Sequence, residues 1–351
     1  MYILIAILIF GFLIFIHELG HFLTAKALDV QVNEFSICMG PALLKKQRGE
    51  TLYSLRCIPI GGFCAMEGED GDSDNPRAFT SKSWWRRLII LAAGSFMNFL
   101  TGLLVLVIVY SCAAPSSTAR IDSFFEDCPY QSEEGLHQGD EFYRIDGRRV
   151  FIYSDVAMLL GRNETGVFDL TVRRDGKLVE LKDFKMVPVE YTIDGVKQTK
   201  YGFYFAAEEK NVGSVLKNTW NTALDFSRIV WMGLGDLISG MVSVKEMNGP
   251  VGIVSTIVQT GESAATVADG LLNVAYLGAF IAINLAVMNM LPLPALDGGR
   301  LLFLLIRKIT GKRVTDEMEG RIHFIGIVLL MLLMVFVTWN DILKFIVPLF
   351  S

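Results

Sequence analysis

Histidine is scarce in this chain of 351 residues, with only four, and two of them stand four positions apart. The five cysteines (Cys38, Cys57, Cys64, Cys112 and Cys128) form no C-x-x-C pair, which excludes a zinc ribbon and leaves no disulfide framework. Charge is in short supply too: 20% of residues are Asp, Glu, Lys or Arg, against 52% hydrophobic, and mean hydropathy is +0.43. Such a chain is too apolar for an ordinary soluble protein and too charged for a bare bundle of spans, so a membrane protein with one extramembrane domain fits. The net charge of −5 lacks the basic excess of a nucleic-acid binder. Residues 1–16 hold no charged side chain and so lack the basic start of a secretory signal, and 1–28 reads as a retained span.

That span carries the two close histidines in Ile16-His17-Glu18-Leu19-Gly20-His21-Phe22. Residues four apart share a helix face, so His17 and His21 can aim two imidazoles at one ion, with Glu18 beside them as a general base. Two histidines, a glutamate and an open position for water make a zinc-hydrolase arrangement. The membrane setting sharpens the point, because an ionisable group at bilayer depth costs roughly 2.5–3.5 kcal/mol. Three such groups in five positions call for a partner, and a cation matches them.

Four apolar stretches have the ~20-residue length of a span: 1–28, 88–112, 270–300 (its apolar core ending at 296) and 322–349. Nine Lys and Arg lie between Lys26 and Arg87, and six between Arg300 and Arg321. Positive loops stay inside, so residues 29–87 and 301–321 are expected in the cytoplasm, with the metal motif toward that side and residues 116–210 outside.

Within 29–87, two strand-like runs near 30–37 and 52–58 suggest a β-hairpin layer beside the motif, or else a surface loop; Pro59, Gly61 and Gly62 break the pattern, and an acidic linker follows. Asn98 in the second span needs a hydrogen-bond partner, as a helix contact or as a group that orients the site. Residues 116–210 alternate as strands at 119–124, 141–145, 168–173 and 178–184, with turns at Asp146-Gly147, Asp175-Gly176 and Asp194-Gly195. Gly135-Leu-His-Gln-Gly-Asp140 followed by Tyr143-Arg-Ile-Asp-Gly147 resembles the core of a PDZ domain, with His137 at its surface. Residues 211–269 read as amphipathic helices, lying on the membrane or packed on that domain, and a Gly249-Pro-Val-Gly252 loop.

A hydrolytic zinc site takes a third protein ligand. The candidates are His323 at the start of the fourth span and Asp297, where Pro292, Pro294, Gly298 and Gly299 break the third span. Asp297 can ligate, or it can cap a helix beginning near Leu301.

His17-Glu18-x-x-His21 in one span and Asn289-x-x-Pro292-x-x-x-Leu296-Asp297-Gly298 in a later one, with a PDZ-like insertion between, resemble the site-2 protease family, and within it the bacterial RseP-type branch. Gly61-Gly62-Phe63, Asn98 and Gly249-Pro-Val-Gly252 extend the resemblance over nearly the whole chain. It implies a polytopic α-helical membrane protein of about four spans, with a membrane-associated β-hairpin layer and an inserted PDZ-like α+β domain. It implies zinc on His17, His21 and Asp297 with Glu18 as base, Asn289 and Pro292 shaping the site, and the β layer guiding an extended substrate. Expected substrates are single-span membrane proteins such as anti-sigma factors, or signal-peptide remnants, met in the plasma membrane of a bacterium. Two features depart from the family: Gly94-Ser95 stands where Gly-Pro is frequent, and there is room for one PDZ-like domain where some relatives carry two. A membrane metal carrier or sensor, or a silent PDZ scaffold, are the rival functions. A carrier needs a polar conduit, and the middles of spans two and four lack acids and histidines.

Overall fold

The computed structural model describes residues 1–69, 71, 73–193, 196–243, 247–311 and 316–346. Asp70 and Asp72 of the acidic linker, the Asp194-Gly195 turn, Lys312 and Arg313, and the fourth span beyond residue 346 lie outside the described residues. The chain runs α1 (Tyr2–Ala27), β1 (Val32–Arg48), β2 (Thr51–Met66), α2 (Trp84–Cys112), β3 (Ser117–Phe124), β4 (Glu141–Ile145), β5 (Arg148–Arg149), α3 (Ser154–Gly161), β6 (Val167–Arg174) and β7 (Lys177–Lys185). There follow β8 (Val189–Ile193), β9 (Val196–Lys200), β10 (Phe203–Ala207), α4 (Val212–Ser239), α5 (Pro250–Glu262), α6 (Val267–Asn289), α7 (Asp297–Thr310) and α8 (Asp316–Asp341), which ends in a π-helical turn (Ile342–Ile346). Two compact units emerge: residues 1–106 with 226–351, and residues 107–225.

Among the described residues, four helices are long and apolar enough to cross a membrane: α1, α2, α6 and the run Met318–Lys344 through α8. The chain is a multi-pass membrane protein. Ile3, Leu4, Ile7, Leu8 and Phe12 of α1 and most of α8 face outward, as a lipid solvent permits. Small residues let the backbones touch. A Cβ on Gly20 of α1 would stand 2.5 Å from the Ala93 carbonyl oxygen of α2, and one on Gly102 of α2 would stand 2.6 Å from Ile283 of α6.

Gly249-Pro-Val-Gly252 is not a loop; it opens α5, with Pro250 at the first helical position. Proline suits that place, since its missing N–H would have no helical partner there. The amides of Gly249 and Gly252 donate to Asp341 of α8, at 3.1 and 2.7 Å. Asp341 is fully buried and does from another helix what a capping residue does locally. α5 packs inside the bundle, sharing an apolar cluster with Tyr2, Ala6, Phe10 and Leu13 of α1.

The β layer is longer than expected. Pro59, Gly61 and Gly62 fall inside β2, where they form a corner and not an end. Ser36 pairs with Phe63 on one side and with Ser54 on the other. Residues 34–37 therefore lie between residues 52–55 and residues 62–65, and residues 45–48 pair with 51–54 beyond. Gly40 and Gly61, with φ of 84° and 86°, make corners that other residues would strain to hold. At the hairpin tip Glu50 meets Arg77 and Lys26, whose cations hold its carboxyl down at about 2.

α4 is one helix of 28 residues. It packs on protein through Thr222, Ala223, Asp225 and Phe226, yet leaves Leu216, Trp220, Trp231 and Ile238 exposed.

The second unit holds an antiparallel sheet in the order β10-β3-β4-β6-β7, with β5 on β4, and a separate β8–β9 hairpin. Strict alternation buries Phe168, Leu170 and Val172 of β6. Asp146-Gly147 and Asp175-Gly176 take positive φ at both residues, the two-residue hairpin turn such pairs favour. α3 and β10 carry no clear sequence signal, and of the β8–β9 hairpin the sequence marks only the turn at residues 194–195. His137 is half-buried, with its ring toward the Glu133 carbonyl. Asp140 is fully buried and grips Arg174 through both oxygens, at 2.8 and 2.7 Å. Removing the cation strands that carboxylate at a cost of about 3 kcal/mol. Arg174→Ala should therefore speed hydrogen exchange in β4 and β6 by about 10², read by mass spectrometry on the full chain, with α1 and α2 unaffected.

Candidate metal centre

The α1 helix places His17 and His21 on one face, and α2 fixes their geometry. His21 Nδ1 lies 2.8 Å from the Ile90 carbonyl. A carbonyl can only accept, so that nitrogen carries the proton and Nε2 presents a lone pair to the site. Gly94, one turn further along α2, lies directly under both rings; a Cβ there would clash with His21 Nε2 and stand 2.7 Å from His17 Cε1. Gly20 brings the α2 backbone close enough for this. Sequence reasoning missed Ile90, which nothing local marks, and noted Gly94 only beside Ser95, without its place under the imidazoles.

Asp297 reaches the same point from the far end of the bundle. α6 stops at Asn289, residues 290–296 fold back, and α7 starts at Asp297. Leu296 is the capping position, so Asp297 does not cap a helix near Leu301. Gly298 and Gly299 carry no Cβ because the returning loop presses on them: a Cβ would clash with the carbonyl oxygens of Leu291 and Leu293 respectively. Ala295 holds φ at 77°, a costly angle for alanine, and its amide donates to His323 Nδ1 on α8 at 3.0 Å. His323 thus braces the loop and does not face the site.

The three atoms form a nearly equilateral triangle. His17 Nε2 and His21 Nε2 are 3.2 Å apart, and Asp297 Oδ2 lies 3.2 Å from the first and 3.3 Å from the second. Ligands at zinc distances of about 2.0–2.2 Å in a tetrahedron stand about 3.3–3.6 Å from one another. A lone pair on His21 and a carboxylate oxygen at this range repel unless a cation sits among them. Among the described residues, these three form a group able to hold a metal ion.

A cavity of about 390 Å³ opens at the triangle, lined by His17, Glu18, His21, residues 63–66, Glu69, Leu91, residues 295–297 and Arg300. Phe63 lies in its wall, and Gly62 approaches the Glu18 side chain. Gly61 is at the β2 corner, Asn98 is buried on α2, Asn289 ends α6, and Pro292 is exposed; none of these four lines the cavity. Residues 62–66 pair with β1 on one side only, among the described residues. The Glu67 amide bonds back to Gln31 at 2.9 Å, so the alternate amides of Met66 and Cys64 point the other way. Met66 N–H meets Glu69 at 3.4 Å. Burial, with the Glu18 and Glu69 carboxylates nearby, pushes the Cys64 thiol up, so it stays neutral.

Apolar spans around a buried His–His–Asp cluster, with a glutamate alongside, mark a membrane metallohydrolase. Peptidase family M50 matches residues 5–333, and the chain belongs to that family. It is 35% identical over 343 residues to a protein of Clostridium acetobutylicum that bears a zinc metalloprotease name, covering 97% of each chain. It is 30% identical to the Regulator of sigma-W protease RasP of Bacillus subtilis, covering 96% of this chain and 97% of that one. The Zinc metalloprotease RasP of Geobacillus kaustophilus is 30% identical, with 97% of both chains covered. The chain is accordingly a zinc metalloprotease of the membrane, as its resemblance to the site-2 proteases implies. Because Gly94 has no room for a side chain under the imidazoles, Gly94→Ala should lower zinc per chain far below wild type, measured by elemental analysis of protein that still extracts into detergent at normal yield.

Proposed function

We propose that this protein is an endopeptidase that cuts within the membrane-spanning segments of its substrates, with zinc on His17 Nε2, His21 Nε2 and Asp297 Oδ2 and with Glu18 as its general base. The observation that carries the reading is the convergence of those three atoms within 3.3 Å beside an unpaired strand edge. Zinc, when bound, supplies a Lewis acid that polarises the scissile carbonyl and makes water acidic near neutral pH. Glu18 takes a proton from the attacking water and hands it to the leaving amine as the C–N bond breaks. A helical substrate hides its peptide bonds, so the segment must unwind before it is cut. The edge at residues 62–66 is suited to hold the unwound strand by main-chain bonds, with Gly61, Gly62 and Phe63 at its entry. The amides of Cys64 and Met66, the second of which Glu69 holds in this structure, are the donors it would offer. Asn289 and Pro292 end α6 so that Asp297 can turn back toward the histidines, and Asn98 is buried on α2 one turn beyond Gly94.

Substrates are single-span membrane proteins, anti-sigma factors or signal-peptide remnants among them; the Bacillus subtilis relative's name, Regulator of sigma-W protease, favours anti-sigma factors. Residues 116–210 are read as a PDZ-like domain outside the cell, where it screens the outer parts of substrates, and the metal centre lies toward the cytoplasm of a bacterium. The basic loops on the metal side support that orientation.

Zinc per chain is the first test. Wild type should hold about one zinc, and His21→Ala and Asp297→Ala should lose most of it. Loss in His21→Ala alone would remove Asp297 from the ligand set. Glu18→Gln should keep its zinc and cleave no single-span substrate in detergent; cleavage at the wild-type rate would overturn the assignment of the base.

A further inference from the structure

Peptide hydrolysis places negative charge on the carbonyl oxygen, and a fixed donor aimed at that oxygen lowers the barrier. Few groups around the cavity can donate. Glu18, Glu69 and Asp297 only accept when ionised. His21 uses its N–H on Ile90, the Met66 amide is engaged by Glu69, and the Cys64 amide belongs to the strand edge that the substrate would take. Arg300 differs: among the described residues that line the cavity, it is the one permanent cation.

Its placement fits a role at the reacting centre. Arg300 stands three residues after Asp297 on α7, hence on the same face, with Cβ atoms about 5–6 Å apart. An extended arginine covers that distance toward the point where Asp297 meets the histidines. In this structure the guanidinium is turned to Glu69, whose other oxygen takes the Met66 amide at the end of the open strand edge. The ion pair therefore sits where an incoming extended strand must pass. Both partners are only partly buried, with side chains 31% and 16% exposed for Arg300 and Glu69, so exchanging one partner for another exposes no dry charge.

We infer that Arg300 is a further catalytic residue: when a substrate strand claims the Met66 amide and displaces Glu69, the guanidinium swings to the scissile carbonyl oxygen and donates to it as charge develops. This rests on the protease reading above. Five N–H groups in a planar fork allow Arg300 to keep a bond to Glu69 while it gives another to the substrate. The Glu69 carboxylate parks the cation between turnovers and does not itself touch the reacting atoms.

The test uses the full chain in detergent and, as probe, a single-span peptide of leucine and alanine with a central Asn-Pro break, flanked by a fluorophore and a quencher, that wild type cleaves and Glu18→Gln does not. Arg300→Gln should lower kcat by about 10²–10³ with KM little changed, and zinc per chain should stay at the wild-type value. Arg300→Lys, which keeps the charge but loses the fork, should fall between the two. Glu69→Gln should lose far less than Arg300→Gln, and the exchanged pair Arg300→Glu with Glu69→Arg should not recover. Equal losses in the two single variants, with recovery in the exchanged pair, would make the pair a structural latch and overturn the inference. A loss confined to KM, or a loss of zinc in Arg300→Gln, would overturn it as well. Failure of the metal reading shows separately, as unchanged zinc in His21→Ala.

Discussion

Three electron-pair donors held within 3.3 Å of one another, inside a bundle of apolar helices, are the constraint on which the rest of this structure depends. Without a cation such a cluster is unfavourable, and in a low-dielectric setting the penalty grows. The protein meets it with fit at the backbone level. Gly20 lets α2 touch α1, Gly94 clears space under the imidazoles, and the Ile90 carbonyl sets which nitrogen of His21 faces inward. From the opposite side, Gly298 and Gly299 accept the folded loop, and His323 holds a strained Ala295 in place.

The same economy governs polar groups elsewhere in the bundle. Lipid offers no hydrogen bonds, so a helix that begins inside the protein must find its partner there. α5 begins in that way, and Asp341 of α8 takes its first amides. The β layer is the exception, because among the described residues no strand pairs with the cavity side of residues 62–66. An open edge is normally a hazard, since it invites another strand. That edge lies against Glu18 and the His–His–Asp cluster in the cavity wall, with the Glu69–Arg300 ion pair at its end.

Much of this was legible beforehand, and the reasons are physical. Hydropathy marked the spans, because a lipid-facing helix must be apolar all round. The i, i+4 spacing of His17 and His21 foretold a shared face, because helix geometry is local. The Asp-Gly turns at residues 146–147 and 175–176 were readable for the same reason. Gly249-Pro250 was misread as a loop because proline and glycine punctuate both loops and helix starts, and only Asp341, 89 residues or more away in sequence, decides between them. Pro59 to Gly62 was misread as a strand end because a corner inside a folded hairpin uses the same residues.

By itself the sequence determined the apolar spans, the paired histidines with their glutamate, and the break that frees Asp297, all of them products of short-range pattern and composition. Tertiary structure alone decided that Asp297 and not His323 meets the histidines, that Gly94 is the floor of the site, and that Arg300 and Glu69 close its edge. Those outcomes turn on backbones from distant segments coming into contact, and no spacing along a single chain segment encodes such an approach.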